Sequence, residues 1–372
     1  MKIDIFELER IQSLYENTVD YNLTETGLHP FTLKELLTPE EIDRLSSISL
    51  GYGQTDGSPQ LREAIARLYP GAHPSNVLVT NGSAEANFLV IWSMLHPGDE
   101  LVLMLPNYMQ IWGLARSFGV HVKPFYLREE LNWRPSLDEL NALLTSKTKM
   151  IALCNPNNPT GAVLSEEIMQ GVFKAAEKIG AWIFVDEIYR GAELSGEDTP
   201  TFYNYSGYEK VVVNGGLSKA YGLPGLRTGW LVGPARIIAE AWAYHDYTTI
   251  STGILSQHLA ARVLEPVMRS NVLNRNRKML KENIICLQDW INKHDNLFSF
   301  IPPQAGAMAF IHYNMEINSR EFTERLRKQK SVFIMDGDCF GMDKYLRIGF
   351  GSPKNYLIEG LRRIDQFLTE IT

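Results

Sequence analysis

Residues 182–232 read WIFVDEIYRGAELSGEDTPTFYNYSGYEKVVVNGGLSKAYGLPGLRTGWLV. The apolar runs within this stretch, Trp182–Asp186, Val211–Asn214 and Thr228–Val232, are too short for helices and read as buried strands. Toward the N-terminus the pattern recurs in Val77–Thr80, Leu101–Leu105, Val120–Phe125 and Met150–Cys154. Helical segments separate them. In Ala84–Leu95 the residues Ala84, Phe88, Ile91 and Leu95 share one face, and Pro97-Gly98-Asp99 stops the helix. Strands alternating with crossover helices predict an α/β fold: a mainly parallel, seven-stranded sheet covered by helices on both faces. Ligands of such sheets bind beyond the carboxyl ends of the strands, where Asp186 and the 215–227 loop fall.

After Pro234 the texture changes to long helices, including a Lys/Arg-rich stretch over 271–293 whose charge reads as a solvated helix face. Strands over Ala307–Tyr313, Val332–Met335 and Tyr345–Phe350, with helices near 319–329 and 354–370, predict a smaller α+β domain. The expected division is an N-terminal arm over 1–48 that forms part of the small domain, a large domain over 49–283, and a C-terminal small domain over 284–372. The arm cannot bury itself alone, so it must pack on the C-terminal domain or on a partner subunit.

With 45% hydrophobic and 21% charged residues, the 372-residue chain has an ordinary globular composition. A formal net charge of -7 without a clustered basic face argues against nucleic acid as a partner. Cys154, Cys286 and Cys339 lie far apart with no CxxC spacing, and the histidines form no ligand pair, so neither metal nor disulfide framework is expected. No apolar run reaches the ~18 residues of a membrane span, and residues 1–10 lack the apolar core of a signal peptide. A cytoplasmic location fits.

The chemistry gathers around Lys219. Arg227 follows it across a loop punctuated by Gly222, Pro224 and Gly225, and Asp186 ends a separate strand. One amine for a carbonyl, one fixed cation for a phosphate and one carboxylate for a ring nitrogen are what pyridoxal 5'-phosphate (PLP) needs. Other segments add to the set: Tyr52 and Gly57 in GYGQTDGSPQ, Gly82-Ser83-Ala84 between strand and helix, and Tyr108 after Pro106. Asn155-Pro156-Asn157-Asn158-Pro159-Thr160-Gly161, Asp186-Glu187-Ile188-Tyr189 and Arg347 in YLRIGF complete it.

In this order and spacing, over residues 50–365, the motifs resemble those of the fold-type I, class I/II PLP-dependent aminotransferases. The resemblance implies a role for each residue. Lys219 would hold PLP as a Schiff base and then act as general base and acid at the substrate Cα. Asp186 would face the pyridine nitrogen and keep the ring an electron sink. Asn158 and Tyr189 would bond the cofactor's O3′, and Tyr108 would stack on the ring. Ser83, Ala84, Ser218 and Arg227 would take the phosphate, partly on the N-terminus of a helix. Tyr52 would reach the phosphate of a neighbouring subunit, which implies a homodimer with shared sites. Arg347, with Asn158, would bind the substrate carboxylate. The substrates would be an amino acid and a 2-oxo acid.

Two departures stand out. Gly216 occupies a position where many relatives carry Ser or Thr for the phosphate, which shifts that load to Ser83, Ser218 and Arg227. The segment Tyr21–Pro30 differs from the usual Gly-x-Pro-Asp-Phe wall of the substrate pocket and is similar to capreomycidine synthase-like members, which handle arginine-derived substrates. If it lines the pocket, Glu25 and Gly27 contact substrate, and Glu25 receives a cationic side chain such as a guanidinium. Oxidative hydroxylation, cyclisation and β/γ-elimination begin with the same proton abstraction and stand as alternatives to transamination. A dinucleotide enzyme does not fit, because the Gly51, Gly53, Gly57 spacing is one residue too long and lacks a preceding strand. A P-loop enzyme does not fit either, for want of GxxxxGK[ST]. A non-catalytic regulator is disfavoured by the retained lysine and arginines.

Overall fold

A computed structural model describes residues 3–371. Its largest sheet has eight strands, in the order Val77–Thr80, Gly229–Val232, Val211–Gly216, Trp182–Asp186, Thr148–Cys154, Glu100–Leu105, His121–Arg128 and Arg134–Pro135. The five from Val211–Gly216 to His121–Arg128 run parallel, while Gly229–Val232 is antiparallel to both its neighbours. The seven expected strands are all present. The eighth, Arg134–Pro135, is a two-residue antiparallel pairing at the sheet edge, which carries too little apolar pattern to read from sequence.

Alternation explains why the strand runs are apolar throughout. Val102, Met104, Ile151, Leu153, Ile183, Val185 and Val213 point into one core with Ile168 and Val172 of the helix Glu166–Ile179. Leu101, Leu103, Met150, Ala152, Phe184 and Val212 point into the other, with Leu89 and Val90 of the helix Ser83–Met94 and Ile237 of Ala235–His245. Both faces are dry, so both sets of side chains must be apolar.

The 27-residue helix Pro266–Asn292 leads to an antiparallel sheet of Phe298–Phe300, Met308–Tyr313, Tyr345–Gly349 and Met335–Asp336. The single strand expected over Val332–Met335 is divided. Val332–Phe333 pairs in parallel with Tyr21–Asn22 of the N-terminal segment, and Met335–Asp336 turns to pair with Tyr345–Gly349. The same segment stays on the small sheet through Leu23 N to Phe333 O (2.8 Å) and Gly349 N to Leu23 O (2.7 Å). This pairing carries residues 24–27 toward the ends of the large sheet. No helix among the described residues is long and apolar enough to cross a membrane.

Glu85, in the first turn of Ser83–Met94, locks the loop before it. Its carboxylate accepts from the Asn81 N–H (2.5 Å), from Thr249 Oγ1 (2.8 Å) and, at 3.1 Å, pairs with His245 Nε2. Burial alone would raise its pKa, but the His245 and Asn81 hydrogen bonds outweigh that and pull it from 4.5 to about 2. A depressed carboxylate stabilises the fold above its unfolded pKa and loses that contribution as the pH falls through its folded one. Glu85→Gln is therefore expected to lower stability at pH 7 by about 3 kcal/mol at most. In urea unfolding, the gap from the parent protein should close as the pH drops from 4.5 to about 2; a gap independent of pH contradicts this.

Candidate active site

A cavity of about 510 Å³ lies at the carboxyl ends of the parallel strands. Of the residues singled out from sequence, Glu25, Ser83, Ala84, Tyr108, Asn158, Asp186, Tyr189, Ser218, Lys219, Arg227 and Arg347 all line it. Most come from strand ends and the loops or helix start that follow them, with Glu25 from the N-terminal segment and Arg347 from the small sheet. The sheet collects them because parallel strands end on one side.

Asp186 closes its strand with only 5% of its surface exposed. Oδ1 accepts from the Ile188 N–H (3.1 Å) and Oδ2 from Asn87 Nδ2 (3.2 Å). Burial raises its pKa, and these donors oppose the rise. No Lys, Arg or His nitrogen among the described residues lies within ion-pair distance of it. The carboxylate is thus buried beside a cavity with neutral donors alone.

Lys219 Nζ lies 3.6 Å from Glu25 Oε2, and Gln12 Nε2 donates to Glu25 Oε1 (2.7 Å). Lys219 is the main reason that the Glu25 pKa falls below its ordinary value. Arg347, only 2% exposed, donates from Nη1 to Asn158 Oδ1 (2.9 Å) and from Nη2 to the Thr24 carbonyl (3.0 Å). Its Nε has no partner, and no carboxylate among the described residues pairs with it. A buried guanidinium with an orphaned N–H is prepared for an anion. Tyr189 is also buried, its hydroxyl 2.7 Å from Thr26 Oγ1, and burial pushes its pKa up.

The anion seat is built from glycine. Gly82 precedes the helix Ser83–Met94 at φ +83°, and a Cβ there would lie 2.4 Å from Arg227 Nη2. A Cβ on Gly229 would lie 2.4 Å from Gly82 C and 2.5 Å from Ser83 N. The missing side chains let Arg227 reach the start of a 12-residue helix whose first N–H groups lack intrahelical acceptors. Arg227 Nη1 is also 3.5 Å from Ser218 Oγ. Gly216 has its own steric reason: a Cβ would sit 2.9 Å from Ile188 Cδ1 and 3.1 Å from the Thr228 carbonyl.

Two of the residues named from sequence lie outside this cavity. Gly27 does not line the cavity but packs behind the lysine, where a Cβ would be 3.0 Å from Ser218 O and 3.5 Å from Lys219 Cδ. Tyr52 is 87% exposed and borders a different cavity with residues 249–256, so within its own chain it stands apart from the site. Sequence reading also missed part of the wall. The helix Glu7–Tyr15 lies across the cavity and contributes Leu8, Glu9 and Gln12, with Glu16 just beyond it. Tyr108 Oη donates to Glu9 Oε1 (2.5 Å) and its ring packs edge-on against Phe6. The Glu9, Gln12, Glu16 spacing signals one helix face, yet a charged face reads as solvated until something is seen to cover it.

An amine, a buried acid and a cationic anion seat converging on the ends of a parallel sheet define a PLP enzyme, and these residues fit that cofactor's ring and phosphate. Residues 27–364 match the family described as "Aminotransferase class I and II", and the chain belongs to this family of PLP-dependent transferases. It is 30% identical to capreomycidine synthase of Streptomyces vinaceus, covering 93% of this chain and 89% of that protein. It is 28% identical to an aspartate aminotransferase of Thermotoga maritima, covering 93% and 91%. Its fold matches a PLP-dependent aminotransferase from Streptococcus suis with a TM-score of 0.94 at 33% identity, covering 100% and 99%.

Gly82→Ala tests the seat. A side chain at φ +83° would displace Arg227 from the helix start. Titration of the cofactor-free protein with PLP, followed by absorbance, is expected to show affinity reduced by about tenfold or more. Unchanged affinity contradicts the arrangement.

Proposed function

We propose that this protein is an aminotransferase that takes the amino group of an amino acid with a cationic side chain and passes it to a 2-oxo acid. When bound, PLP supplies an aldehyde that condenses with amines and a ring that accepts the electron pair left at Cα. Ser83, Ala84, Ser218 and Arg227 would hold its phosphate, Asn158 and Tyr189 would hold the O3′ edge, and Tyr108 would pack on the ring. Asp186 would meet the ring nitrogen as a carboxylate. Lys219 would hold the aldehyde through its amine, and that amine is the group placed to move the proton at the substrate Cα. Arg347, fixed by Asn158, takes the substrate carboxylate as a bidentate partner.

The observation that carries the substrate class is the charge of the opposite wall. Glu9, Glu16 and Glu25 all border the cavity, and Lys219 is the cation paired with Glu25 there. With that amine engaged by the cofactor, Glu25 would lose its paired ammonium, and the acidic wall would face the side chain of an incoming substrate. A guanidinium or ammonium group restores the balance, whereas an acidic side chain would add to the repulsion. The similarity to capreomycidine synthase supports the same class and gives the second reading: cyclisation or oxidative hydroxylation of an arginine-like amino acid on the same residues. The exposed Tyr52 supports a homodimer in which this tyrosine serves the partner's phosphate. The site needs no membrane or nucleic acid, and a cytoplasmic setting suits such substrates.

Mixing the holoenzyme with single amino acids and no acceptor tests the proposal by absorbance. The cofactor's aldehyde band is expected to convert to the amine band fastest with arginine, ornithine or lysine. Faster conversion by aspartate removes the acidic wall from substrate recognition. Oxygen consumption in place of a stable amine band moves the assignment to the second reading. Glu25→Gln is expected to raise KM for arginine by about 10- to 100-fold while sparing neutral substrates.

Burial, with Glu25 and Glu9 nearby, raises the Glu16 pKa above 4.5. Below that raised value Glu16 is neutral and attracts a cation less. The KM for a cationic substrate should therefore fall as the pH rises through the Glu16 titration, and Glu16→Gln should remove that step. A step that survives the substitution contradicts the assignment.

A further inference from the structure

Asp186 is not held by the cavity wall alone. Behind it runs a chain of buried amides that begins at a backbone N–H. The Glu187 N–H donates to Asn214 Oδ1 (3.2 Å), Asn214 Nδ2 donates to Asn87 Oδ1 (2.5 Å), and Asn87 Nδ2 donates to Asp186 Oδ2 (3.2 Å). The direction matters. A backbone N–H can only donate, so it fixes which end of Asn214 faces it, and Asn214 in turn fixes Asn87 with its NH2 toward the carboxylate. Asn87 and Asn214 are 1% and 0% exposed, so neither amide can turn to water instead.

Asn87 also donates to Gln110 Oε1 (3.0 Å), and Gln110 Nε2 donates to the Ala84 carbonyl (2.9 Å). The same amide therefore touches the acid at one end of the cavity and, through Gln110, the helix start that forms the anion seat at the other. Gln110 lines the cavity but Asn87 does not. Asn87 sits one helical turn beyond Ser83 and Ala84, on the sheet side of the helix Ser83–Met94.

We infer that Asn87 is a positioning residue: without touching cofactor or substrate, it keeps Asp186 ionised and aimed into the cavity. Asn87 gives the Asp186 carboxylate its largest hydrogen-bonding support, ahead of the Ile188 N–H on its own loop and the Asn214 amide behind. A buried carboxylate with no cation beside it keeps its charge only through such donors. Removing the Asn87 NH2 takes from Oδ2 the hydrogen bond it accepts at 3.2 Å and favours the protonated acid, which cannot hold a proton on a ring nitrogen. The inference rests on the reading of Asp186 as the acid that meets that nitrogen.

The test compares Asn87→Leu, Asp186→Asn and the double variant as holoenzymes. Asn87→Leu is expected to retain cofactor and lower kcat by about 10- to 100-fold with KM little changed. The pH at which the bound cofactor changes its absorbance should also shift. In the double variant the second substitution should add nothing to Asp186→Asn, because the amide acts only through the acid. With a cofactor analogue that carries CH in place of the ring nitrogen, the parent protein and Asn87→Leu should turn over equally. If Asn87→Leu does not fold, Asn87→Ala removes the same donor and carries the same expectations. Parent-like kcat and absorbance in the Asn87 variants, beside a crippled Asp186→Asn, overturn this inference alone. A full extra loss in the double variant does the same. Parent-like turnover in Asp186→Asn overturns the underlying reading as well.

Discussion

A carboxylate buried at a strand end with no cation beside it is expensive, by several kcal/mol in effective terms, and Asp186 is such a group. Its surroundings soften the cost through the Ile188 N–H and Asn87 and leave its open side toward a cavity. In the proposed function a protonated ring nitrogen would supply the missing counter-charge there. The rest of the site follows from where that nitrogen must lie, with the amine of Lys219 on the cavity wall and the Arg227 seat at the start of the helix Ser83–Met94.

The second constraint is charge balance in a confined space. Four acids, Glu9, Glu16, Glu25 and Asp186, border the cavity, against the cations Lys219, Arg227 and Arg347. In the proposed function a phosphate would claim Arg227, a substrate carboxylate would claim Arg347, and an aldehyde would engage the Lys219 amine. The acids of the N-terminal helix and of the segment after it are then in excess. The pairing of Tyr21–Asn22 with Val332–Phe333 brings this about, since it ties the N-terminal segment to the small sheet and carries Glu25 to within 3.6 Å of Lys219.

Much of this is legible in the chain because the decisive features are local. A strand dry on both faces must be apolar throughout, so Trp182–Asp186 and Val211–Gly216 announce themselves. Glycines at 82 and 229 mark close backbone approach. What is hidden depends on distant partners. Glu9 and Glu16 have the spacing of an ordinary solvated helix face, and only the cavity behind them gives them meaning. Asn87 and Asn214 meet across 127 positions of sequence, and nothing in either neighbourhood marks them. Val332–Met335 reads as one strand because it is uniformly apolar, whereas its halves pair with different partners. Gly27 packs against Ser218 and Lys219, a contact its sequence neighbourhood does not signal.

The measurement that bears most directly on the account is chemical. Holoenzyme treated with borohydride, digested and mapped by mass spectrometry reports which amine carries the vitamin B6 aldehyde. The account requires the pyridoxyl group on the peptide containing Lys219 and on no other. A label on a different lysine, or none on protein that binds the cofactor stoichiometrically, contradicts it.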